Sequence, residues 1–182
     1  MAKVMVILAD GFEETEALTP VDLLRRAGAC VTVAGLGKMQ IRGSHGIQVV
    51  CDAVFDTCAD PADYDGVVLP GGMPGASNLA ADCNVLAFIR KLNEKAALVA
   101  AICASPAVVL APLGILDGRK AACYPGFESY GPKVEFTDRQ VVSDKNIITA
   151  RGAGCAVEFG LETVSYLFGR EQADRLALSI IY

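Results

Sequence analysis

The feature that most constrains the fold is an apolar run that ends at a cysteine and is followed at once by a helix start. Residues 98–102 read L-V-A-A-I and are bounded by Lys95 and Pro106, which favours a buried parallel strand over a helix. Ser105 and Pro106 are typical of a helix start, because the serine hydroxyl can accept from a free backbone N–H and proline at the first helical position loses no donor. The sequence therefore predicts that Cys103 lies in a tight strand-to-helix turn.

A cysteine in such a turn is expected to be reactive. The first turn of a helix presents unpaired N–H groups and partial positive charge, which stabilise a thiolate over a thiol. The small neighbours Ala101, Ala104 and Ser105 allow the backbone to turn sharply, as in the nucleophile elbow of serine hydrolases. The alternative is that Cys103 is a buried structural cysteine, which is the better assumption for a cysteine at an arbitrary position. At this position the order of strand, cysteine, small residue, Ser-Pro and helix favours a nucleophile. We predict that Cys103 is the most acidic of the seven thiols.

The beginning of the chain has the pattern of a β-α-β unit. Residues 3–9 and 30–34 are near-continuous apolar strands, and residues 14–27 carry apolar side chains at helical spacing before Gly28 ends the helix. Two parallel strands joined by a helix imply a right-handed crossover and an open sheet covered on both faces. We predict an α/β helix–sheet–helix sandwich with a mainly parallel sheet, formed by one domain over residues 1–182.

The remaining pattern extends this architecture. Strands are predicted over 66–69, 118–123, 134–136, 141–142 and 147–150, and helices over 82–95, 156–168 and 170–181. A small antiparallel hairpin is predicted over 41–50, at the edge of the sheet. His45, the only histidine, is expected to be an exposed residue of its turn rather than a ligand.

Two loops are predicted at the carboxyl edge of the sheet, where ligand sites of open α/β folds lie. Residues 10–16 (D-G-F-E-E-T-E) contain three glutamates. Acidic residues at the start of a helix also interact favourably with the helix dipole, so these glutamates are not by themselves evidence of catalysis. Residues 70–75 (P-G-G-M-P-G) lack the lysine and serine of a nucleotide-binding P-loop. Their glycines let backbone N–H groups approach a reacting atom, as an oxyanion hole requires, and an ordinary tight turn is the alternative.

Composition argues against several classes of function. The net charge of −5, without a Lys/Arg block, argues against binding to nucleic acid or to an anionic membrane. No apolar run approaches the roughly 18–20 residues that span a bilayer, and no N-terminal signal is visible, so a cytoplasmic protein is expected. The seven scattered cysteines, without a C-x-x-C pair and with one histidine, argue against a disulfide framework and a zinc site.

Five segments together resemble a known family. They are A-D-G-F-E-E-T-E at 9–16, R-R-A-G at 25–28, V-V-L-P-G-G at 67–72, A-A-I-C-A-S-P at 100–106 and R-G-A-G at 151–154. In this order they resemble the ThiJ/PfpI superfamily, and most closely its branch that contains the human Parkinson-disease protein deglycase and its bacterial relatives. The resemblance covers essentially the whole chain. It implies a flavodoxin-like homodimer that needs no cofactor or metal.

The resemblance also implies roles for particular residues. Cys103 would be the nucleophile, with the carboxyl of Glu16 hydrogen-bonded to its sulfur, and the backbone N–H groups of Gly72 and Ala104 would face the reacting oxygen. Gly71 is a further candidate for substrate contact. Activities ascribed to the branch are glutathione-independent glyoxalase, repair of early glycation adducts, peroxide sensing and chaperone action.

The sequence departs from its relatives near the cysteine. Tyr124 stands where relatives commonly have a histidine, and His45 stands where the human-type branch has an arginine. Both are candidate substrate contacts. Asp22, which in relatives approaches that histidine across the dimer, loses its usual partner. A cysteine–histidine dyad of protease or amidase type is therefore not supported.

Two functions remain in competition at this point. In the first, Cys103 and Glu16 act as nucleophile and acid/base on an α-oxoaldehyde such as methylglyoxal, or on a glycated protein. In the second, Cys103 is a non-enzymatic peroxide sensor or the switch of a redox-regulated chaperone, with its sulfinate held by a protonated Glu16. A cysteine peptidase or amidase ranks third.

Overall fold

In a computed structural model of the chain, which describes residues 1–55 and 60–182, a seven-stranded sheet lies between two layers of helices. Cys58, one of the seven thiols considered above, lies outside the described residues. The strands are β1 (Lys3–Leu8), β2 (Cys30–Gly35), β3 (Gln40–Arg42), β4 (Gln48–Val50), β5 (Ala53–Val54), β6 (Gly66–Leu69), β7 (Leu98–Ile102), β8 (Lys120–Ala121), β9 (Glu135–Phe136), β10 (Val141–Asp144) and β11 (Ile147–Ala150).

The central sheet has the order β10-β11-β7-β6-β1-β2-β5. Its strands pair in parallel except at one edge, where β10 runs antiparallel to β11. The predicted mainly parallel α/β sandwich is therefore confirmed. Parallel strands need helical crossovers, so both faces of this sheet are covered. Its central strands are almost entirely apolar, with Lys3 at the start of β1 and Thr149 in β11 as exceptions.

The helices are α1 (Glu14–Arg26), α2 (Gly75–Ala81), α3 (Cys83–Glu94), α4 (Ala156–Phe168) and α5 (Arg170–Ser179). The alternation of side chains along β1 decides which helix each residue meets. Val4 and Val6 pack in the core that contains α1, α4 and α5. Met5 and Ile7 pack in the opposite core, with the buried residues of α3. Among the described residues, no helix combines the length and the apolar character that crossing a membrane would require.

Several boundaries and small elements differ from the sequence-based expectation. The hairpin of β3 and β4 forms its own two-stranded sheet instead of joining the edge of the central one. The strand expected over 118–123 is only β8, which pairs with β9 in another separate sheet. The sequence analysis did not anticipate β5 or α2. These elements are only two to seven residues long, so periodicity has too few positions to reveal them.

Four central strands end at the same edge of the sheet, because parallel strands share one direction. Leu8, Leu69, Ile102 and Ala150 are the last residues of β1, β6, β7 and β11. The loops that leave these strands, together with the first turn of α1, form the candidate site.

Candidate active site

Cys103 occupies a sharp turn directly after β7. Its φ angle is +66°, in the left-handed region that side-chain-bearing residues rarely adopt. The backbone is held there from two sides, since the Cys103 N–H donates to the Ala150 carbonyl at 2.9 Å and the Cys103 carbonyl accepts from the Tyr124 N–H at 2.8 Å. The turn therefore presents the sulfur at the sheet edge and fixes the chain around Tyr124 beside it.

The segment after the cysteine differs from the expected α-helix. It is a π-helical turn over Pro106–Leu110, followed by a 3₁₀ turn over Ala111–Leu113. The expectation that the Ser105 hydroxyl accepts from a free N–H is wrong. That hydroxyl is fully buried and instead donates to the carbonyl of Pro70 at 2.6 Å. The physical reason is that the Pro70 carbonyl is buried too and requires a donor, so the serine joins the cysteine turn to the glycine loop.

The glycine loop lies against the cysteine so closely that side chains are excluded. A Cβ on Gly71 would lie 2.5 Å from Cys103 Cβ and 2.7 Å from Glu16 Oε2. Gly72 adopts a φ of +81°, which glycine tolerates without strain. The backbone N–H groups of Gly72 and Ala104 both lower the pKa of the Cys103 thiol, because they can donate to the sulfur in its charged form. Both backbone groups that were expected to face the reacting oxygen therefore lie near this sulfur.

Glu16 completes the group from the first turn of α1. Its side chain is buried, and its Oε2 accepts from the Gly71 N–H at 2.9 Å. Burial raises the pKa of this carboxyl from an ordinary 4.5 to about 7, against the opposing effect of hydrogen bonds from Cys103, Gly71 and Ala153. Near neutral pH Glu16 can therefore both hold and release a proton.

The electrostatics of Cys103 contradict the expectation of an acidic thiol. Burial, and then the charge of the Glu16 carboxylate, raise the pKa of the Cys103 thiol to about 12, and the N–H groups of Gly72 and Ala104 only partly offset this. The helix-start argument failed because it ignored these two effects. The two acids titrate as a pair, since ionisation of either one disfavours ionisation of the other. A thiol of this kind requires a proton acceptor before its sulfur can react as a thiolate, and the carboxyl of Glu16 lies beside it.

Tyr124 lies at the rim of this group with half of its side chain exposed. A Cβ on Gly152 would lie 3.4 Å from Tyr124 Cδ2 and 3.9 Å from Glu16 Oε1. Two more aromatic rings continue from Tyr124, those of Phe127 and Tyr130. The sequence analysis named Gly152 only within the R-G-A-G segment of the resemblance, and it missed both of these rings. The available signal was the spacing of three aromatic residues in a loop that follows the cysteine elbow.

His45 lies in an exposed surface turn beside the first residues of α1. Its Nδ1 is 3.1 Å from an oxygen of Glu13 and 3.1 Å from an oxygen of Glu14, and these two carboxylates raise the pKa of the imidazole. The three side chains lie close enough together to hold a metal ion. The described contacts of His45 are with this acidic pair and Ser44 rather than with the cysteine. Asp22, by contrast, is paired within its own helix, with Arg26 at 2.7 Å.

The geometry thus joins Cys103, Glu16, Gly71, Gly72 and Ala104 into one site with Tyr124 at its rim. The arrangement provides a thiol, a carboxyl that can hold or release a proton near pH 7, and two backbone N–H groups. Such a set suits addition to a carbonyl group followed by proton transfer.

Comparison with known proteins gives matches along nearly the whole chain. The model of the DJ-1/PfpI family matches residues 2–166. The Parkinson disease protein 7 homolog of Danio rerio is 38% identical over 98% of this chain and 96% of its own. Deglycase PH1704 of Pyrococcus horikoshii is 32% identical, with 82% and 89% covered. The chain spans only 40% of the length of DJ-1 homolog B of Arabidopsis thaliana, at 38% identity over 96% of this chain.

Solved structures agree with this result. The structure of oxidized Toxoplasma gondii DJ-1 superposes with a TM-score of 0.94 and 38% sequence identity, covering 100% of this chain and 99% of that one. At this level the two proteins share the fold.

Proposed function

The chain belongs to the DJ-1/PfpI family, and from this premise we propose that it is a glutathione-independent glyoxalase or protein deglycase. Its substrates would be α-oxoaldehydes such as methylglyoxal, or early glycation adducts of proteins. The observation that carries the proposal is the buried Glu16 carboxyl beside Cys103, with a pKa of about 7. A deglycase is also among the similar proteins.

The first step is addition of the Cys103 sulfur to the aldehyde carbon. Glu16 takes the thiol proton as the carbon–sulfur bond forms and passes it to the aldehyde oxygen, which gives a neutral hemithioacetal and leaves Glu16 ionised again. The high pKa of the thiol makes this base necessary. The N–H groups of Gly72 and Ala104 already face the sulfur and are the candidate donors to the developing oxyanion.

The second step moves a proton between adjacent carbons. The ionised Glu16 removes the proton from the carbon that bears sulfur and returns it to the neighbouring carbon, through an enediol-like state. The hydroxyl proton of the hemithioacetal moves to the neighbouring carbonyl oxygen. The product is a thioester of a 2-hydroxy acid. Water then cleaves the carbon–sulfur bond and the thiol regains its proton, so the net reaction adds one water molecule without an external oxidant or reductant.

A peroxide sensor is the second candidate. In that reaction the Cys103 sulfur attacks a peroxide oxygen and becomes a sulfenate while the peroxide is reduced to water, and a second peroxide gives the sulfinate. The raised pKa of Glu16 favours this reading too, since a neutral carboxyl can donate to the oxidised sulfur. A peptidase or amidase stays third, because Tyr124 supplies no imidazole beside the nucleophile.

Turnover of methylglyoxal tests the proposal directly. We expect the purified protein to form lactate from methylglyoxal without glutathione or added metal, and a Cys103→Ser variant to lose this activity. Cys83→Ser, which changes an exposed thiol on α3, is the matched control. A parent protein that forms no lactate, but whose Cys103 peptide becomes a sulfinate in peroxide, would support the sensor instead.

A further inference from the structure

We propose that Glu13, Glu14 and His45 form a binding site for one zinc ion, or for another late first-row transition metal, with two carboxylates and one imidazole as ligands. The site lies where the turn of the β3–β4 hairpin packs against the first residues of α1. Its ligands do not include Cys103 or Glu16, so the proposal is independent of the proposed function.

The three ligand atoms lie close to the separations that one ion requires. His45 Nδ1 is 3.1 Å from Glu13 Oε2 and 3.1 Å from Glu14 Oε2. All three side chains offer ligand atoms within 4.8 Å of one another. Zinc bonds to imidazole nitrogen and carboxylate oxygen are about 2.0–2.2 Å long, so tetrahedral ligands of one ion stand about 3.3–3.6 Å apart. Small side-chain movements therefore suffice to place the three atoms around one ion.

The hydrogens of this cluster are too few for its contacts. Ser44 Oγ lies 3.1 Å from Glu13 Oε2, 3.4 Å from Glu14 Oε2 and 3.1 Å from His45 Nδ1. Together with the two contacts between His45 and the carboxylates, these atoms make five contacts. The hydroxyl and Nδ1 supply at most two hydrogens. A cation bound to both carboxylates and the imidazole satisfies their lone pairs at once.

Glu14 gives the site a buried ligand that points into the cluster. Its side chain is 95% removed from solvent, since the residue is only 5% exposed. Its Oε1 accepts from the backbone N–H groups of His45 and Ile47, at 2.9 and 3.3 Å. The described contacts of Oε2 are with His45 Nδ1 and Ser44 Oγ. The backbone donors thus orient the carboxylate and leave Oε2 for a ligand, as groups around metal ligands commonly do.

Backbone contacts hold the two halves of the site together. The Ser44 N–H donates to the Phe12 carbonyl at 2.8 Å, which joins the hairpin turn to the start of α1. A Cβ on Gly43 would overlap the Glu14 carboxyl, so the hairpin can lie directly on this carboxyl only because a glycine is there. The ligands are therefore positioned by the fold itself, which lowers the entropy cost of binding.

Charge and access also favour a cation. The two carboxylates together outweigh the partial charge of about +0.5 at the helix N-terminus. The His45 side chain is 71% exposed and that of Glu13 is 17% exposed, so an ion can enter from solvent. The imidazole favours a transition metal over Mg²⁺ or Ca²⁺, which prefer oxygen ligands. Three protein ligands leave a fourth position for water.

Zinc binding by the purified full chain tests the site. We expect calorimetric titration to give one Zn²⁺ per chain. Zinc at a hundred times its dissociation constant should raise the melting temperature by about 5–10 °C, and Mg²⁺ at the same concentration should not.

Variants of the two more exposed ligands test the assignment without disturbing the buried one. Residues that only orient metal ligands contribute about 10- to 100-fold to metal affinity. We therefore expect His45→Ala and Glu13→Gln each to weaken zinc binding by at least this factor, with unchanged circular dichroism. Glu94→Gln, which changes an exposed carboxyl at the end of α3, is the control and should bind zinc as the parent does.

The cysteines are the competing zinc ligands, and Co²⁺ distinguishes them from the proposed site. Thiolate ligands give bound Co²⁺ a strong charge-transfer absorption that carboxylate and imidazole ligands do not give. We expect the parent with Co²⁺ to lack this absorption, and Cys103→Ser to bind zinc with the parent affinity. The proposal would be overturned by a parent that binds no zinc, by a thiolate spectrum, or by parent affinity in both His45→Ala and Glu13→Gln.

Discussion

The Gly71 backbone N–H donates to Glu16 Oε2 at 2.9 Å, and the same glycine leaves no room for a side chain beside that oxygen. The glycine loop therefore orients the buried carboxyl and also allows it to approach the cysteine. A site of this kind depends on backbone positions that carry no functional group of their own.

The first prediction concerns the close approach of the Glu16 carboxyl to Cys103. Gly71→Ala would bring a methyl carbon 2.5 Å from Cys103 Cβ and 2.7 Å from Glu16 Oε2, so the sulfur and the carboxyl must move apart. Because displacements near 1 Å can cost about a hundredfold in rate, we expect kcat/KM for methylglyoxal to fall by that order. Gly154→Ala, whose added carbon would meet no atom within 4 Å, is the control. Normal turnover by Gly71→Ala would contradict the arrangement.

The second prediction tests proton transfer by Glu16. Glu16→Gln keeps a similar shape but cannot accept and return a proton. General acid–base groups contribute about a hundred- to ten-thousandfold, and we expect kcat to fall within that range while the fold, measured by circular dichroism, is unchanged. A variant that turns over near the parent rate would remove Glu16 from the mechanism.

The third prediction is a pH dependence of stability. The folded pKa of Glu16 is about 7, above its ordinary 4.5, so between these values the folded chain binds more protons than the unfolded chain. Stability contributed by this group is therefore complete below pH 4.5 and is lost as the pH rises to 7, by about 3 kcal/mol.

Urea unfolding of the parent and of Glu16→Gln measures this loss. We expect the stability of Glu16→Gln relative to the parent to increase between pH 4.5 and pH 8, because the amide carries no charge to bury. A difference between the two proteins that is constant over this range would show that Glu16 titrates normally.

The fourth prediction concerns the link between the cysteine turn and the glycine loop. Ser105→Ala removes the buried hydroxyl that donates to the Pro70 carbonyl and leaves that carbonyl without this donor. An unsatisfied buried polar group costs about 1–3 kcal/mol, which urea unfolding can measure. Ser77→Ala is the control, since its hydroxyl makes only a long contact with Met73. Equal effects of the two substitutions would argue against a special role of Ser105.

The fifth prediction is that the protein forms a homodimer through α1 and the hairpin of β3 and β4. Leu18 on α1 and Val50 at the end of the hairpin expose apolar side chains to solvent. Light scattering coupled to size-exclusion chromatography should give twice the chain mass of 19.0 kDa at low micromolar concentration. Leu18→Glu should weaken the dimer, and Lys91→Glu on α3 should not. A parent that elutes as a monomer would contradict the proposal.

The sequence by itself determined the layered α/β fold and the position of the cysteine within it. Apart from Lys3 at the start of β1, the runs that became β1, β6 and β7 are apolar, and the apolar residues of α1 repeat at helical spacing. These signals are local and strong, because a strand buried on both faces cannot carry polar side chains. The turn at Cys103 followed from the same reasoning, since the strand before it has a clear end.

Only the tertiary structure decided the electrostatics of the site, whereas the residues nearest the sulfur were already implied by the family resemblance. The pKa of Cys103 is raised rather than lowered, because burial and the Glu16 carboxylate act through space and leave no trace in local sequence. Likewise, Glu14 is held by the N–H groups of His45 and Ile47 while Glu16, two residues later, lies against Gly71. Which carboxyl meets the sulfur depends on which face of α1 packs on the sheet, and that is a property of the assembled core.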